Sequence, residues 1–226
     1  MRGDAGALHD RSIEPVARVE VLEIERPAVV LGSTQSMDLV NTARAAELGF
    51  AVVRRRSGGG VVVLSPHDHV WIDVTVPRGH VLWDDDVERA TWWLGEAWCE
   101  VLRGELPGGV PDWLDDGRVC AAGGAWSVHR GRLVANAPER SVCFACVGPG
   151  EVVSGARKVV GIAQRRTKDA ARFQCTVFHT IDVGLYGQLL NAPIPTALGQ
   201  AAGVGERLDA VAVVAAAVLR TRLLAN

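Results

Sequence analysis

Arg54-Arg55-Arg56-Ser57-Gly58-Gly59-Gly60-Val61 is the stretch that decides how this chain folds. Three consecutive glycines give up chain entropy, and a sequence keeps them where a backbone or a ligand must approach closely. Ala51 to Arg55 on one side and Val61 to Leu64 on the other are apolar enough to predict strands. The glycines therefore stand in a strand-loop-strand unit, not in a nucleotide-binding βαβ unit. Exposed N–H groups in such a loop cradle an anion, and neighbouring guanidiniums bind phosphate in a bidentate manner. The bland alternative is a loose hairpin flanked by solvated arginines, and the chemistry of the stretch leaves both open.

Upstream of the loop, Val19, Val21, Ile24 and then Val29 to Leu31 alternate apolar and polar positions, predicting two short strands broken at Pro27. Ser36 to Leu48 carries a helical pattern with Ser36 as N-cap, ended by Gly49. Downstream, Val70 to Val76 alternates as a strand. Asp84 to Leu102 predicts a long helix opening on acidic residues, with Trp92, Trp93 and Trp98 as core or partner contacts. Arg103 to Gly117 is rich in glycine, proline and acid and predicts a surface loop. Further strands are expected at 125–128, 132–135, 141–147, 158–165 and 173–182, and an alanine-rich helix over Leu208 to Leu224. A sheet dominating the middle with helices around it makes the class α+β.

A second string, Gly155-Ala156-Arg157-Lys158-Val159-Val160-Gly161-Ile162-Ala163-Gln164-Arg165-Arg166, opens an apolar strand with a lysine directly after a glycine turn. An ammonium at a strand mouth can reach a ligand lying across the sheet and neutralise charge on a reacting carboxylate or phosphate. Taken alone, it is equally an ordinary lysine snorkelling from a strand end.

In this order and spacing the two strings resemble the lipoate-protein ligase family, whose signature is an Arg-Arg-x-Ser/Thr-Gly-Gly-Gly/Arg loop followed by a Lys-Val-x-Gly-Ser/Ile-Ala strand. The resemblance covers roughly residues 28 to 185. It implies the biotin/lipoate-protein ligase catalytic-domain fold, a mixed β-sheet flanked by helices, as a single domain over 1–226. Its core would span about 19–190, with 191–226 as a C-terminal helical extension where longer ligases carry an accessory domain. It implies that Arg55, Ser57, Gly58, Gly59 and Gly60 line an acyl-adenylate pocket, that Gln35 in Gly32-Ser33-Thr34-Gln35 lies beside the acyl chain, that Gly161 and Ala163 flank it, and that Lys158 is the catalytic lysine. The implied reaction uses ATP and Mg²⁺ to activate lipoate or octanoate as acyl-AMP, then transfers the acyl group to a lysine of a lipoyl domain of the glycine cleavage H protein or 2-oxoacid dehydrogenase E2 type. Many family members have His-Asp where this chain has Leu64-Ser65, and His-Gly where it has Cys175-Thr176.

Cys143 stands fifteen positions before Lys158. The cysteine-dependent octanoyltransferases look similar here and use such a cysteine to hold an acyl thioester taken from an acyl carrier protein, without ATP. Thiolates suit that task because they are nucleophilic and leave readily. Cysteine is also among the residues most often simply buried, and Cys146 and Cys175 are as available for packing. The resemblance therefore leaves three functions: the ATP-dependent ligase, expected first; the transferase using Cys143; and a non-catalytic acyl or acyl-adenylate binder, against which retention of Lys158 argues. Biotin ligation is disfavoured by the arginine-rich triple-glycine loop. An acyl carrier protein and a separate accessory-domain protein are further partners it admits.

Bulk properties agree. The chain has 226 residues, 48% hydrophobic and 22% charged, and a net charge of −2, which offers nucleic acid or an anionic membrane no bulk attraction. No apolar run approaches the roughly 18 residues of a membrane span, and the N-terminus lacks a signal-peptide core, so a cytoplasmic protein is expected. Five scattered cysteines (Cys99, Cys120, Cys143, Cys146, Cys175) argue against a disulfide framework. The Cys143-x-x-Cys146 pair has no second pair at zinc spacing, so no metal site is expected. An eight-carbon chain gains about 0.8 kcal/mol per buried methylene, so the sheet should wall a narrow apolar tunnel with the glycine loop and Lys158 at its mouth.

Overall fold

In the computed structural model, residues 1–104 and 126–224 are described. The architecture is α+β. Seven strands form the larger sheet, in the order β1 (Arg2–Gly3), β2 (Arg18–Ile24), β6 (His69–Pro77), β10 (Ala170–Phe178), β9 (Arg157–Arg166), β8 (Val152–Ser154) and β7 (Trp126–Val128). It is mixed: β1 runs parallel to β2 and every other pair is antiparallel. A smaller mixed sheet has β3 (Ala28–Leu31) at its centre, parallel to β4 (Ala51–Arg54) and antiparallel to β5 (Val62–Leu64). The break at Pro27 thus separates strands belonging to different sheets.

Strand alternation divides the molecule into layers. On β6, Val70, Ile72, Val74 and Val76, and on β10, Ala171, Phe173, Cys175 and Val177, face a core built with α3 (Trp92–Arg103) and α5 (Leu208–Leu224). α5 packs across β2 and β6 and against α3. The intervening residues, Trp71, Asp73 and Thr75 on β6 and Arg172, Gln174 and Thr176 on β10, occupy the opposite face. There a second core joins the smaller sheet with α1 (Ala5–Asp10), Trp71, Phe144, Phe178 and α4 (Val183–Leu189). No helix among the described residues is long and apolar enough to cross a membrane.

Several local expectations change. The helix expected over 36–48 is interrupted: Ser36 caps only a 3-10 turn (Met37–Leu39), and Asn41 caps α2 (Thr42–Glu47). Between them Val40 bridges Leu190, with Asn41 N donating to Leu189 O and Asn191 N to Leu39 O, so tertiary pairing takes the backbone groups a continuous helix would use. The helix expected from Asp84 starts at Trp92, because Asp84 accepts from Asp86 N, and Asp86 from Glu88 N and Arg89 N, building side-chain-capped turns instead. The strand expected over 141–147 is two 3-10 turns, Glu139–Ser141 and Cys143–Ala145, joined at Val142, which bridges Val61. That over 132–135 reduces to a bridge from Val134 to Val147, and β10 ends at Phe178. β1, α1, β8 and α4 were not foreseen. Cys120 and the loop expected up to Gly117 lie, from residue 105 onward, outside the described residues.

Candidate active site

The glycine loop connects β4 to β5, the two outer strands of the small sheet, and its shape is set by contacts a side chain would forbid. A Cβ on Gly32 would stand 1.9 Å from Gly59 O, and Gly59 itself has φ 97°. A Cβ on Gly60 would lie 2.6 Å from Val142 C and 2.7 Å from Cys143 N. Gly60 is therefore where the loop and the Cys143 turn touch. The contact is sealed by Val61 N donating to Ser141 O (2.8 Å) and Cys143 N to Val61 O (2.9 Å). Because both clashes are with backbone, Gly60→Ala should destabilise the protein by about 1–3 kcal/mol and shift the cysteine. Thermal unfolding and the rate of Cys143 labelling by a thiol reagent test this; wild-type values in both would show that the close approach is dispensable.

The three arginines are each engaged within the protein. Arg54 donates to Gly32 O (3.1 Å) and to Gln35 O. Arg55, buried, turns back on its own loop, donating to Gly58 O (2.9 Å) and Gly60 O (2.8 Å). Arg56 pairs with Asp10 of α1 at 2.8 Å. Gln35 accepts from Gly32 N (2.9 Å) and donates to Ser141 O (2.9 Å), tying the end of β3 to the Cys143 turn. Ser57 is buried, its Oγ 3.4 Å from Gln174 Oε1.

Lys158 reaches the same place through a β-bulge. Val160 pairs with Val177, on the α3–α5 side, so regular alternation would send Lys158 into that core as well. The register between β8 and β9 slips here, Val152 opposing Val160 while Val153 opposes Lys158. The extra residue, Val159, joins Val160 in the core and Lys158 turns to the site face. Its Nζ lies 2.9 Å from Cys143 O, 3.8 Å from Cys143 Sγ, 2.6 Å from Glu151 Oε1 and 5.0 Å from the Phe144 ring centre. Burial pushes the ammonium down, but Cys143 and Glu151 outweigh it and hold Lys158 above the usual lysine range.

Glu151 is the polar group that sequence reasoning passed over. It is buried, with Oε1 also accepting from Ile162 N (3.0 Å) and Oε2 from Gly148 N (2.7 Å). Only the turn Gly148-Pro149-Gly150 before it hints that this carboxylate is fixed. It balances the charge of Lys158, leaving a neutral pair beside the thiol.

Two connected cavities meet here. One holds the charged side chains and is lined by Gly58, Gly59, Gly60, Cys146, Glu151 and Lys158 among others. The other is mainly apolar, lined by His9, Val62, Leu64, Trp71, Phe144 and Gly161 among others; its empty space is about 420 Å³, open mouth included, within the roughly 300–1,000 Å³ of small-molecule sites. Arg55, Cys143, Ile162 and Ala163 line both, so the cysteine stands at their junction. Gly59 and Lys158 thus share one cavity, and Gly161 and Ala163 line the apolar pocket. Gln35 is in neither lining; it braces the loop. Among the other cysteines, burial pushes Cys146 up to about 11 and Cys175 up to about 12. Cys175 lies on the α3–α5 side of the sheet.

His9, likewise unforeseen, enters the apolar pocket from α1. Burial first, then Arg55, holds it down to about 3, while burial raises Asp73 to about 6 despite the Arg172 guanidinium 3.7 Å away. Below pH 6.5 the unfolded chain protonates its histidine while the folded one does not. Stability on this account falls as the pH drops toward 3, by on the order of 4 kcal/mol. Asp73 works oppositely: between pH 3.8 and about 6 its folded carboxyl keeps a proton the unfolded one has lost, so rising pH weakens the fold. Urea unfolding at pH 4 and pH 7 should show His9→Phe losing the acid-side drop and keeping the opposing slope. An unchanged drop would exclude His9 as its source.

Residues 7–103 match the family described as Lipoyl protein ligase A/B catalytic domain. No curated protein sequence matches the chain. Among solved structures, the fold is shared with a T. acidophilum protein with bound lipoic acid, at 14% identity and TM-score 0.62 over 98% of this chain and 78% of that one. It is shared with a lipoate-protein ligase A bound with ATP, at 17% identity and TM-score 0.61 over 92% and 72%. A third is the bi-partite lipoate protein ligase of Thermoplasma acidophilum, reported with its E2 lipoyl domain, at 14% identity and TM-score 0.60 over 98% and 76%. At these identities the likeness is one of fold. Among the described residues no three His, Cys, Asp or Glu side chains group as a metal site.

Proposed function

We propose that the chain is a member of the lipoate-protein ligase family, as the match over residues 7–103 supports, and that it is an enzyme that transfers a lipoyl-type, medium-chain acyl group to a protein lysine by way of a thioester on Cys143. One observation carries this reading: the Cys143 thiol stands where an apolar pocket meets the cavity that holds Lys158 and Glu151, 3.8 Å from the Lys158 ammonium. The acyl chain would lie in the apolar pocket. The Cys143 sulfur attacks the carbonyl of an acyl thioester borne by an acyl carrier protein; a new C–S bond forms, and the carrier's thiol leaves with a proton. The amine of an acceptor lysine then attacks the acyl-enzyme. An amide forms, and the Cys143 sulfur leaves and regains a proton. Lys158 places positive charge where the sulfur carries negative charge at both steps. The acceptor is a lipoyl domain, in keeping with the E2 lipoyl domain paired with the Thermoplasma ligase.

The ATP-dependent route is the second reading, favoured by the fold shared with a ligase bound with ATP. Lys158 and the glycine loop would hold the acyl-adenylate, and Mg²⁺, which keeps most of its water, would be held largely by the nucleotide. Against it, Arg55 is spent on loop carbonyls, and Lys158, a single ammonium already paired with Glu151, can face the one charge of a thiolate but not the several charges of a triphosphate. Incubation with octanoyl carrier protein, and separately with octanoate, ATP and Mg²⁺, distinguishes the two by mass spectrometry. An acyl adduct on Cys143 from the carrier supports the thioester route. Acyl-AMP without an adduct would replace it with the ligase.

A further inference from the structure

We propose that His9 determines which acyl chains the apolar pocket accepts, its Nε2–H donating a hydrogen bond to an oxygen or sulfur carried along the chain, so that a chain bearing such an acceptor is favoured over plain hydrocarbon. This rests on the reading of that pocket as an acyl site. The backbone around His9 is fixed: Arg172 donates to His9 O (2.8 Å) and Arg11 O (3.1 Å), and Arg56 holds Asp10. The imidazole lies against the Trp71 indole with ring centres 4.4 Å apart, and lines the pocket.

Its tautomer follows from its neighbours. Gln174 Nε2 faces both Asp73 Oδ1 (3.4 Å) and His9 Nδ1 (3.3 Å), while Gln174 Oε1 faces the Ser57 hydroxyl (3.4 Å). An amide so oriented donates to Nδ1, so the proton of the neutral ring sits on Nε2. That Nε2 is buried and has no hydrogen-bond partner among the described residues. A buried donor without an acceptor is unfavourable, so a ligand that supplies one gains, and an alkyl chain that merely covers it does not.

Octanoate and its 6-hydroxy and 8-hydroxy derivatives, titrated calorimetrically into the full chain, test this. At least one hydroxy acid should bind about tenfold more tightly than octanoate. The ratio should fall to about one in His9→Phe, which keeps the stacking on Trp71, and return in His9→Gln, which keeps a donor. Equal binding of all three acids, or a preference that survives in His9→Phe, overturns the role of His9 while leaving the acyl pocket standing. If no acid binds, the pocket assignment and the role of His9 fall together.

Discussion

Cys143→Ser should abolish the covalent acyl-enzyme and transfer from octanoyl carrier protein, while leaving the fold intact. The substitution changes one atom on a half-buried side chain whose backbone, not its sulfur, is bonded to Val61. A serine hydroxyl keeps the size of the group but is barely ionised, and among the described residues its charged neighbour is an ammonium balanced by Glu151, not a base that could activate it. Cys146→Ser and Cys175→Ser serve as controls. The first sits in the same cavity with its thiol pushed up by burial, and the second lies across the sheet. Both should keep the adduct. Undiminished transfer by Cys143→Ser would remove the thioester and return the site to the ligase reading.

Lys158→Ala should produce two losses that need separating. The rate should drop by about 10²–10³-fold, the scale on which one preorganised electrostatic group is felt. Stability should fall as well, by about 3–5 kcal/mol, because Glu151 remains buried and loses its countercharge. The double variant Lys158→Met/Glu151→Gln keeps the volume, removes both charges and should recover most of the stability without recovering the rate. Urea unfolding beside single-turnover acylation reads the two effects independently. Full activity of Lys158→Ala with both carrier-bound and ATP-activated acyl groups would end any chemical role for the lysine.

Much of the architecture could be read in the residues. Alternation marked β2, β3 and β6, apolar strand candidates anticipated β9 and β10, Pro27 marked the break between sheets, and the triple glycine with the later Lys158 strand carried a family resemblance and with it the expected fold. These are local signals, with apolar period and backbone freedom set by neighbours along the chain. Where the period was helical but the backbone found a distant partner, as at Val40 with Leu190, the local signal lost.

The site itself divides the same way. Sequence alone determined that a glycine loop, a lysine at a strand mouth and a candidate cysteine exist, because each is a matter of residue type and spacing. Only the tertiary structure decided how they meet. A bulge at Val159 turns Lys158 away from the core its parity would give it, and a close backbone approach at Gly60 carries Cys143 to the loop. Glu151 and His9 belong wholly to this second class. One lies on a short edge turn and the other on a six-residue helix without an apolar period, so nothing nearby in the chain marks either. They matter because burial removes the water that would otherwise screen a carboxylate from an ammonium or satisfy an imidazole N–H, and burial is a property of the assembled layers.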